Sequence, residues 1–216
     1  MKKAEIPASL YYQIFSIEPG RGEQRKIQIL EAFIECVATQ GLENTSFDSL
    51  GKKVGMNRTH VAYYFANREE LIRTAVRFVV ATGQQGTIAA VDRASGSKAK
   101  LQAIIEGPFD WLKQHPKHAA ILAMFYSQAT YDKALRELNT TIRTMGEQRL
   151  YSCLHPYVEA GKLSENDARD LARSIQFIII GALHALYSTE YPVPNPKAKA
   201  LAVKSCLQLV NTTLKK

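Results

Sequence analysis

Four basic side chains stand close together in the sequence, in a stretch that contains no acidic residue. Lys52, Lys53, Arg58 and Arg68 fall within seventeen consecutive residues that include neither Asp nor Glu. The polar and aromatic side chains between them are Thr59, His60 and Tyr63. Cationic groups bind phosphates, and polar side chains on a helix reach base edges in the major groove. This stretch therefore predicts contact with double-stranded DNA.

Two short helices and a tight turn would position these side chains. The first helix is predicted by apolar residues at helical spacing after a capping Thr45 or Ser46, namely Phe47, Leu50 and Val54. Gly55 ends it and Asn57 can cap a second helix, whose apolar residues are Val61, Tyr64 and Phe65. This order is typical of a DNA-binding helix-turn-helix. An ordinary pair of packed helices shows the same bare pattern, and the acid-free basic stretch favours the DNA-binding interpretation.

The net charge of the chain does not by itself support DNA binding. The chain of 216 residues has a formal charge of +8, yet residues 1–70 contain nine basic and nine acidic residues and are neutral. The excess lies in the remainder of the chain. The local basic stretch is therefore the better indication of DNA contact.

The segment from Arg25 to Leu71 resembles the DNA-binding domain of the TetR family of bacterial transcriptional repressors. The matching segments are Gly41-Leu42, Thr45-Ser46, Val54-Gly55-Met56-Asn57, Tyr63-Tyr64-Phe65 and Asn67-Arg68-Glu69-Glu70-Leu71. The sequence departs from the family at Ala62, where an aromatic residue usually touches phosphate, and at His60, where Thr or Ser is usual. These departures affect the details of base reading and not the fold.

The resemblance implies a role for each residue of the basic stretch. Base edges would be contacted by Arg58, Thr59, His60 and Tyr63. Phosphates would be held by Thr45 or Ser46, Tyr64 and Arg68, with Lys52 and Lys53 as weaker candidates. The implied protein is a homodimeric repressor that a small molecule releases from its operator DNA.

Helical periodicity continues along the chain, and no segment shows the alternation expected of a strand. We expect an all-α protein with an N-terminal helix-turn-helix domain of three helices and a C-terminal helical bundle for regulation and dimerisation. The expected divisions are an arm over 1–23, the DNA-binding domain over 24–70 and the regulatory domain over 71–216. The arm is either a flexible leader or a minor-groove contact. A fourth helix should begin after Asn67 and fade near Gly83–Gly86, and Pro108 should kink a later one.

Two apolar stripes near the C-terminus predict the dimer interface. One stripe belongs to the predicted eighth helix and comprises Ile175, Ile178, Ile179, Gly181, Ala182 and Leu186. The other belongs to the last helix and comprises Val203, Leu207, Val210 and Leu214. Stripes of this kind present a seam to a second helix. The alternative is that both stripes pack only within one chain.

Aromatic and soft side chains in the second domain predict an effector pocket. The candidates are Phe109, Trp111, Met124, Phe125, Tyr126, Met145, Phe177 and His184. They favour an apolar or aromatic effector with His184 or Tyr126 as the polar anchor. The alternative is that these residues form ordinary core.

Other functions find little support in the sequence. It contains no catalytic or cofactor-binding motif, and His115 and His118 have no evident partner for a metal. Three scattered Cys, the lack of a signal-peptide layout and the lack of a membrane-spanning run predict a cytoplasmic protein with reduced thiols. Two alternatives remain: an all-α enzyme or carrier with a merely structural helix-turn-helix, and a DNA-architectural protein without effector.

Overall fold

The computed structural model describes residues 20–189 and 196–214, and almost all of them are helical. These ranges contain nine helices and no strand, which confirms the all-α prediction. The helices are α1 (Arg21–Gln40), α2 (Phe47–Val54), α3 (Arg58–Tyr64), α4 (Arg68–Arg93), α5 (Ser97–Gln114), α6 (His118–Gln128), α7 (Lys133–Glu159), α8 (Glu165–Thr189) and α9 (Pro196–Thr213). The predicted arm lies outside the described residues except for its end, where α1 already begins at Arg21.

Side-chain caps define the helix-turn-helix formed by α2 and α3. The Ser46 hydroxyl accepts a hydrogen bond from the Ser49 N–H at 3.2 Å, and Gly55 ends α2 with φ of 68°. The Asn57 side chain accepts from the His60 N–H at 2.8 Å and begins α3. Gly51 is also required, because a Cβ there would lie 2.6 Å from the Met56 carbonyl oxygen. The turn therefore closes directly against the middle of α2.

A small apolar core holds the helix-turn-helix against α1. Phe33 of α1, Leu50 of α2, Val61 of α3 and Phe65 after it are all at most 1% exposed. Burial of each large apolar side chain contributes about 1.5–3 kcal/mol. The opposite face of α3 is left to the solvent.

Helix α4 is longer than the sequence predicts. The expectation that it fades near Gly83–Gly86 is wrong, because α4 continues to Arg93. Packing on α5 overrides the low helix propensity of glycine here. A Cβ on Gly83 would lie 3.1 Å from the Trp111 ring, and a Cβ on Gly107 of α5 would lie 2.6 Å from the Thr87 hydroxyl. These glycines let the two helices approach closely.

Helices α5–α9 form the C-terminal bundle, and α4 packs along α5 to complete it. Pro108 lies inside α5, and the helix continues past it to Gln114. Helix α1 packs on both α4 and α6. The bundle therefore contacts the N-terminal helices through both α4 and α6.

Candidate DNA-binding surface and ligand cavity

The outer face of α3 is an exposed platform of polar and aromatic side chains. Arg58, Thr59 and His60 are exposed on its first turn. Tyr63 is 83% exposed and meets the half-buried Tyr64 edge to face, with ring centroids 5.2 Å apart. A large aromatic side chain so exposed gains little in the free protein, which suits a surface that a partner covers.

The basic side chains around this platform differ in whether they already bind another group of the protein. The Arg58 guanidinium lies 3.5 Å from Asp48, and both side chains are well exposed, so solvent screens the pair. Lys52 is exposed, and Lys53 forms an ion pair with Glu35 at 3.2 Å. Arg68 donates a hydrogen bond to the Leu42 carbonyl. Arg58 and Lys52 are therefore the cations most available to DNA.

Thr45 does not suit the phosphate-binding role predicted for it. The residue is 2% exposed, and its hydroxyl donates to the Gly41 carbonyl at 2.9 Å. Its side chain thus closes the loop between α1 and α2. The neighbouring Ser46 is exposed at the start of α2, where the unpaired backbone N–H groups attract anions. Of the two alternatives, the structure favours Ser46.

Glu35 of α1 joins the helix-turn-helix to the C-terminal bundle. Its carboxylate lies 2.8 Å from Lys117, which caps α6, and 3.2 Å from Lys53 of α2. Hydrogen bonds from Lys117 and then Lys53 lower the pKa of this carboxyl. One acidic side chain therefore binds cations from both domains.

The C-terminal bundle contains a cavity of about 190 Å³. Helices α4–α8 all contribute to its mainly apolar wall, which consists of Val80, Gly83, Gln84, Thr87, Ile104, Pro108, Trp111, Leu122, Tyr126, Ile142, Arg143, Gly146, Arg149, Leu150, Gln176, Ile179, Ile180 and Leu183. A cavity of 150 Å³ holds one benzene molecule, so this one suits a small organic ligand. Helix α4 carries one wall of the cavity and begins beside the helix-turn-helix.

The main polar groups of the cavity lie on α4, α6, α7 and α8. Arg149 is 5% exposed and donates to the Gln84 side chain at 3.2 Å, and burial lowers its pKa to about 10. The Gln176 amide donates to the Arg143 carbonyl at 2.9 Å, whereas its carbonyl oxygen is buried without a hydrogen-bond partner. Burial also raises the pKa of Tyr126, against the opposing influence of the Arg143 charge.

The structure brings only two of the eight predicted pocket residues to the cavity wall, Trp111 and Tyr126. Phe109 and Phe125 are at most 1% exposed and lie in the core, and Phe177 is 51% exposed on the outside of α8. The remaining three, Met124, Met145 and His184, are not part of the wall either. The sequence also missed Arg149, Gln176 and Gln84, for which the only signal was polar residues within otherwise apolar helices.

Four of the residues predicted for the dimer interface are buried within a single protomer. Ile175, Ile179, Leu186 and Val210 are all at most 6% exposed inside the chain, so they cannot contact a second protomer without disrupting that packing. Gly181 is exposed, and the other five, Ile178, Ala182, Val203, Leu207 and Leu214, are half-buried. The apolar side chains that do reach the solvent here are Phe177 on α8 and Leu201 on α9.

Two further features of the described ranges bear on function. No described helix is long and apolar enough to cross a membrane. No group of His, Cys, Asp and Glu among the described residues is arranged to hold a metal ion.

Comparison with known proteins gives a family match over the DNA-binding domain. Residues 29–75 match the family model of bacterial regulatory proteins, tetR family. The chain is 26% identical over 161 residues to the HTH-type transcriptional regulator BetI of Pseudomonas aeruginosa PAO1, covering 73% of this chain and 78% of that protein.

Solved structures share the fold over most of their length. A transcriptional regulator from Pseudomonas aeruginosa PAO1 aligns with a TM-score of 0.76 at 18% identity, over 91% of this chain and 93% of that one. A regulator from Saccharomonospora viridis in complex with choline aligns with a TM-score of 0.72 at 14% identity, over 87% and 96%. The SmeT–triclosan complex aligns with a TM-score of 0.70 at 20% identity, over 86% and 90%.

The exposed helix-turn-helix and the family match over it define a DNA-binding transcription regulator. More narrowly, residues 29–75 have the sequence pattern of the tetR family of bacterial regulatory proteins.

Proposed function

We propose that this regulator is a cytoplasmic, homodimeric repressor that a small apolar or aromatic effector releases from its operator. Residues 24–70 form the DNA-binding domain, and residues 71–216 bind the effector and the second protomer. The single observation that carries this proposal is the cavity, whose wall includes the same helix, α4, that begins next to the DNA-binding face.

The DNA contacts follow from the exposed platform on α3. Arg58, Thr59, His60 and Tyr63 contact base edges, and each good pair of this kind discriminates by about 1–3 kcal/mol. The groups assigned to phosphates are Ser46, Lys52, Lys53, Tyr64 and Arg68. The family resemblance and the exposure of the α3 side chains support this assignment.

Release from DNA requires that the effector bind more tightly to the protein conformation that does not bind DNA. The free energy of coupling between an effector site and a DNA-binding site is typically about 1–3 kcal/mol. An effector between α4 and α7 would change how α4 packs. Helix α4 also packs on α1, which in turn packs on α2 of the helix-turn-helix. The choline and triclosan complexes of two structural neighbours support small-molecule binding by this fold.

Dimerisation places two α3 helices on one palindrome-like operator. We assign the contact to the exposed side of α8, where Phe177 and Gly181 are one turn apart, together with the half-buried residues of the predicted stripes. Phe177→Glu should yield a monomer in light scattering. Tyr131→Glu is the matched control, because Tyr131 is 72% exposed in the turn between α6 and α7. A folded Phe177→Glu protein that is still dimeric would remove this face from the interface.

The proposal is tested by fluorescence anisotropy with the DNA that flanks the protein's own gene. Arg58→Ala should bind this DNA and random DNA with nearly equal affinity, because a base contact is lost. Lys52→Ala should weaken binding to both DNAs by the same factor. Because each of the two protomers loses one phosphate contact, it should also reduce the magnitude of the salt slope by about two. If both variants behave like the parent on both DNAs, the contact assignment is wrong.

A further inference from the structure

Building on the proposed effector site, we propose that the cavity takes an uncharged one-ring molecule that carries a hydroxyl group, held between Tyr126 and Gln176. The ring would fill the apolar part of the wall. The hydroxyl would donate a hydrogen bond to the Gln176 carbonyl oxygen and accept one from the Tyr126 hydroxyl. This narrows the effector from any apolar or aromatic molecule to a neutral phenol or alcohol.

Three polar groups on residues of the wall form no hydrogen bond within the part of the chain that the structure describes. The Gln176 carbonyl oxygen is a buried acceptor, and the Trp111 N–H is a buried donor. The Tyr126 hydroxyl, which can donate or accept, also bonds to no described residue. A buried polar group without a partner is destabilising, so a ligand that supplies the partner gains affinity. Because an acceptor and donors are both unpaired, the ligand group should both donate and accept, as a hydroxyl does.

The Gln176 amide is held in one orientation. Its nitrogen donates to the Arg143 carbonyl at 2.9 Å, and a Cβ on Gly146 would collide with that nitrogen, so the amide packs directly on α7. Exchanging the two ends of the amide would set its oxygen against the Arg143 oxygen, which leaves the observed orientation as the favourable one. Burial raises the pKa of the Tyr126 hydroxyl and the Arg143 charge acts in the opposite direction, which places this hydroxyl near the same residue. One ligand group can therefore approach both.

The charges of the wall disfavour both kinds of ion. No wall residue is Asp or Glu, so a cation would meet Arg143 and Arg149 without a compensating carboxylate. For an anion, no guanidinium is left open. Arg149 already donates to Gln84 at 3.2 Å and has further interactions within the chain. The Arg143 guanidinium lies 5.0 Å from the ring centroid of Phe177, which is exposed on the outside of α8. An ion would thus lose its hydration without gaining a free partner, whereas a neutral ligand avoids this cost.

The cavity volume limits the ligand to about one ring. It is about 190 Å³, slightly above that of a cavity that holds benzene. Apolar side chains such as Ile104, Ile142 and Leu183 belong to the wall and would contact this ring. Phenol is therefore a small probe that meets the requirements of size, charge and hydrogen bonding together.

Isothermal titration calorimetry of the full chain at neutral pH compares one-ring probes that differ in one property. Phenol is neutral at this pH and both donates and accepts a hydrogen bond. Its methyl ether, anisole, accepts but cannot donate, and toluene does neither. Benzoate and benzylammonium are the charged probes. Phenol should bind about two- to tenfold more tightly than anisole and toluene, the range expected for one net hydrogen bond, and more tightly than either ion. No binding of phenol, binding of anisole or toluene as tight as that of phenol, or tighter binding of either ion would overturn the proposal.

Variants assign the preference to the two side chains. Tyr126→Phe and Gln176→Met should each reduce the ratio of phenol to toluene affinity to about one and leave the affinity for toluene nearly unchanged. Tyr157→Phe is the matched control, because Tyr157 is a half-buried tyrosine of α7 outside the wall, and it should leave the ratio unchanged. Circular dichroism checks that each variant is folded. If Gln176→Met does not fold, Tyr126→Phe decides the assignment, and an unchanged ratio in that variant would overturn it.

This titration contains no DNA, so the two proposals can fail separately. Phenol binding with the expected preference that leaves the operator complex intact would contradict release by this site and keep the hydroxyl site. Operator binding by a chain that binds none of the neutral probes would refute the hydroxyl site alone.

Discussion

The close approach of α4 and α5 should make Gly107 intolerant of even one added methyl group. A Cβ at this position would lie 2.6 Å from Thr87 Oγ1, 2.8 Å from its Cγ2 and 2.9 Å from its Cβ. Thr87 is β-branched and 8% exposed, so it cannot turn its side chain aside, and its Cβ moves only with the backbone of α4. Gly107→Ala must therefore push the two helices apart.

The magnitude follows from two opposing contributions. Alanine in a helix interior gains about 0.8–1 kcal/mol over glycine, while overpacking costs about 1–3 kcal/mol. The stiff Thr87 places the cost near its upper end, so we expect the free energy of unfolding to fall by about 1–2 kcal/mol. Urea denaturation followed by circular dichroism, at one protein concentration, measures this change.

Gly86→Ala is the matched control, because Gly86 lies in the same pair of helices and a Cβ there meets nothing within 4 Å. It should stabilise the protein by about 0.5–1 kcal/mol. A Thr87→Ala background lacks two of the three contacting atoms. In that background, Gly107→Ala should lower the free energy of unfolding much less than it does in the parent. A Gly107→Ala protein as stable as Gly86→Ala would refute the described packing of α4 on α5.

Three further outcomes are expected. Burial lowers the pKa of His118 from 6.5 to about 4, and the charge of His115 makes a smaller contribution in the same direction. Between pH 6.5 and pH 4, His118 therefore becomes protonated in the unfolded chain but not in the folded protein. The free energy of unfolding should therefore fall by about 3 kcal/mol as pH drops from 6.5 to 4, and His118→Gln should remove this decrease in acid urea titrations. Burial raises the pKa of Cys153 and of Cys206 to about 11, so Ellman's reagent should modify both slowly in the native protein and rapidly in guanidinium. Because the pKa of Glu35 is lowered in the folded state, its ion pairs stabilise above pH 4.5, and the stability difference between parent and Glu35→Gln should shrink as pH falls below that value.

The helix-turn-helix could be predicted from sequence because local signals define it. Ser46, Gly55 and Asn57 all cap helices as predicted. The end of α4 could not be predicted in this way. Gly83 lowers the local helix propensity, but it is needed for the close contact with Trp111, which lies on another helix. Tertiary packing thus decides where that helix ends.

The cavity wall was less predictable than the fold for a similar reason. Hydrophobic residue type does not separate Phe125, which lies in the core, from Tyr126, which lines the cavity, although they are adjacent on α6. The dimer stripes show the same difficulty: periodicity finds Ile175 and Ile179 correctly as one face of α8, yet that face packs inside the protomer. Periodicity identifies an apolar face and does not say what covers it.

A gel-shift titration with the DNA flanking the protein's own gene, repeated across a range of salt concentrations, tests the central claim most directly. We predict a shifted complex of two protomers that forms on this DNA more tightly than on a shuffled fragment. Two to three phosphate-binding cations per protomer predict that log K falls with log salt at a slope between about −3 and −6. Equal affinity for the native and shuffled fragments, or no shifted complex at low salt, would contradict the identification of α3 as an operator-reading helix.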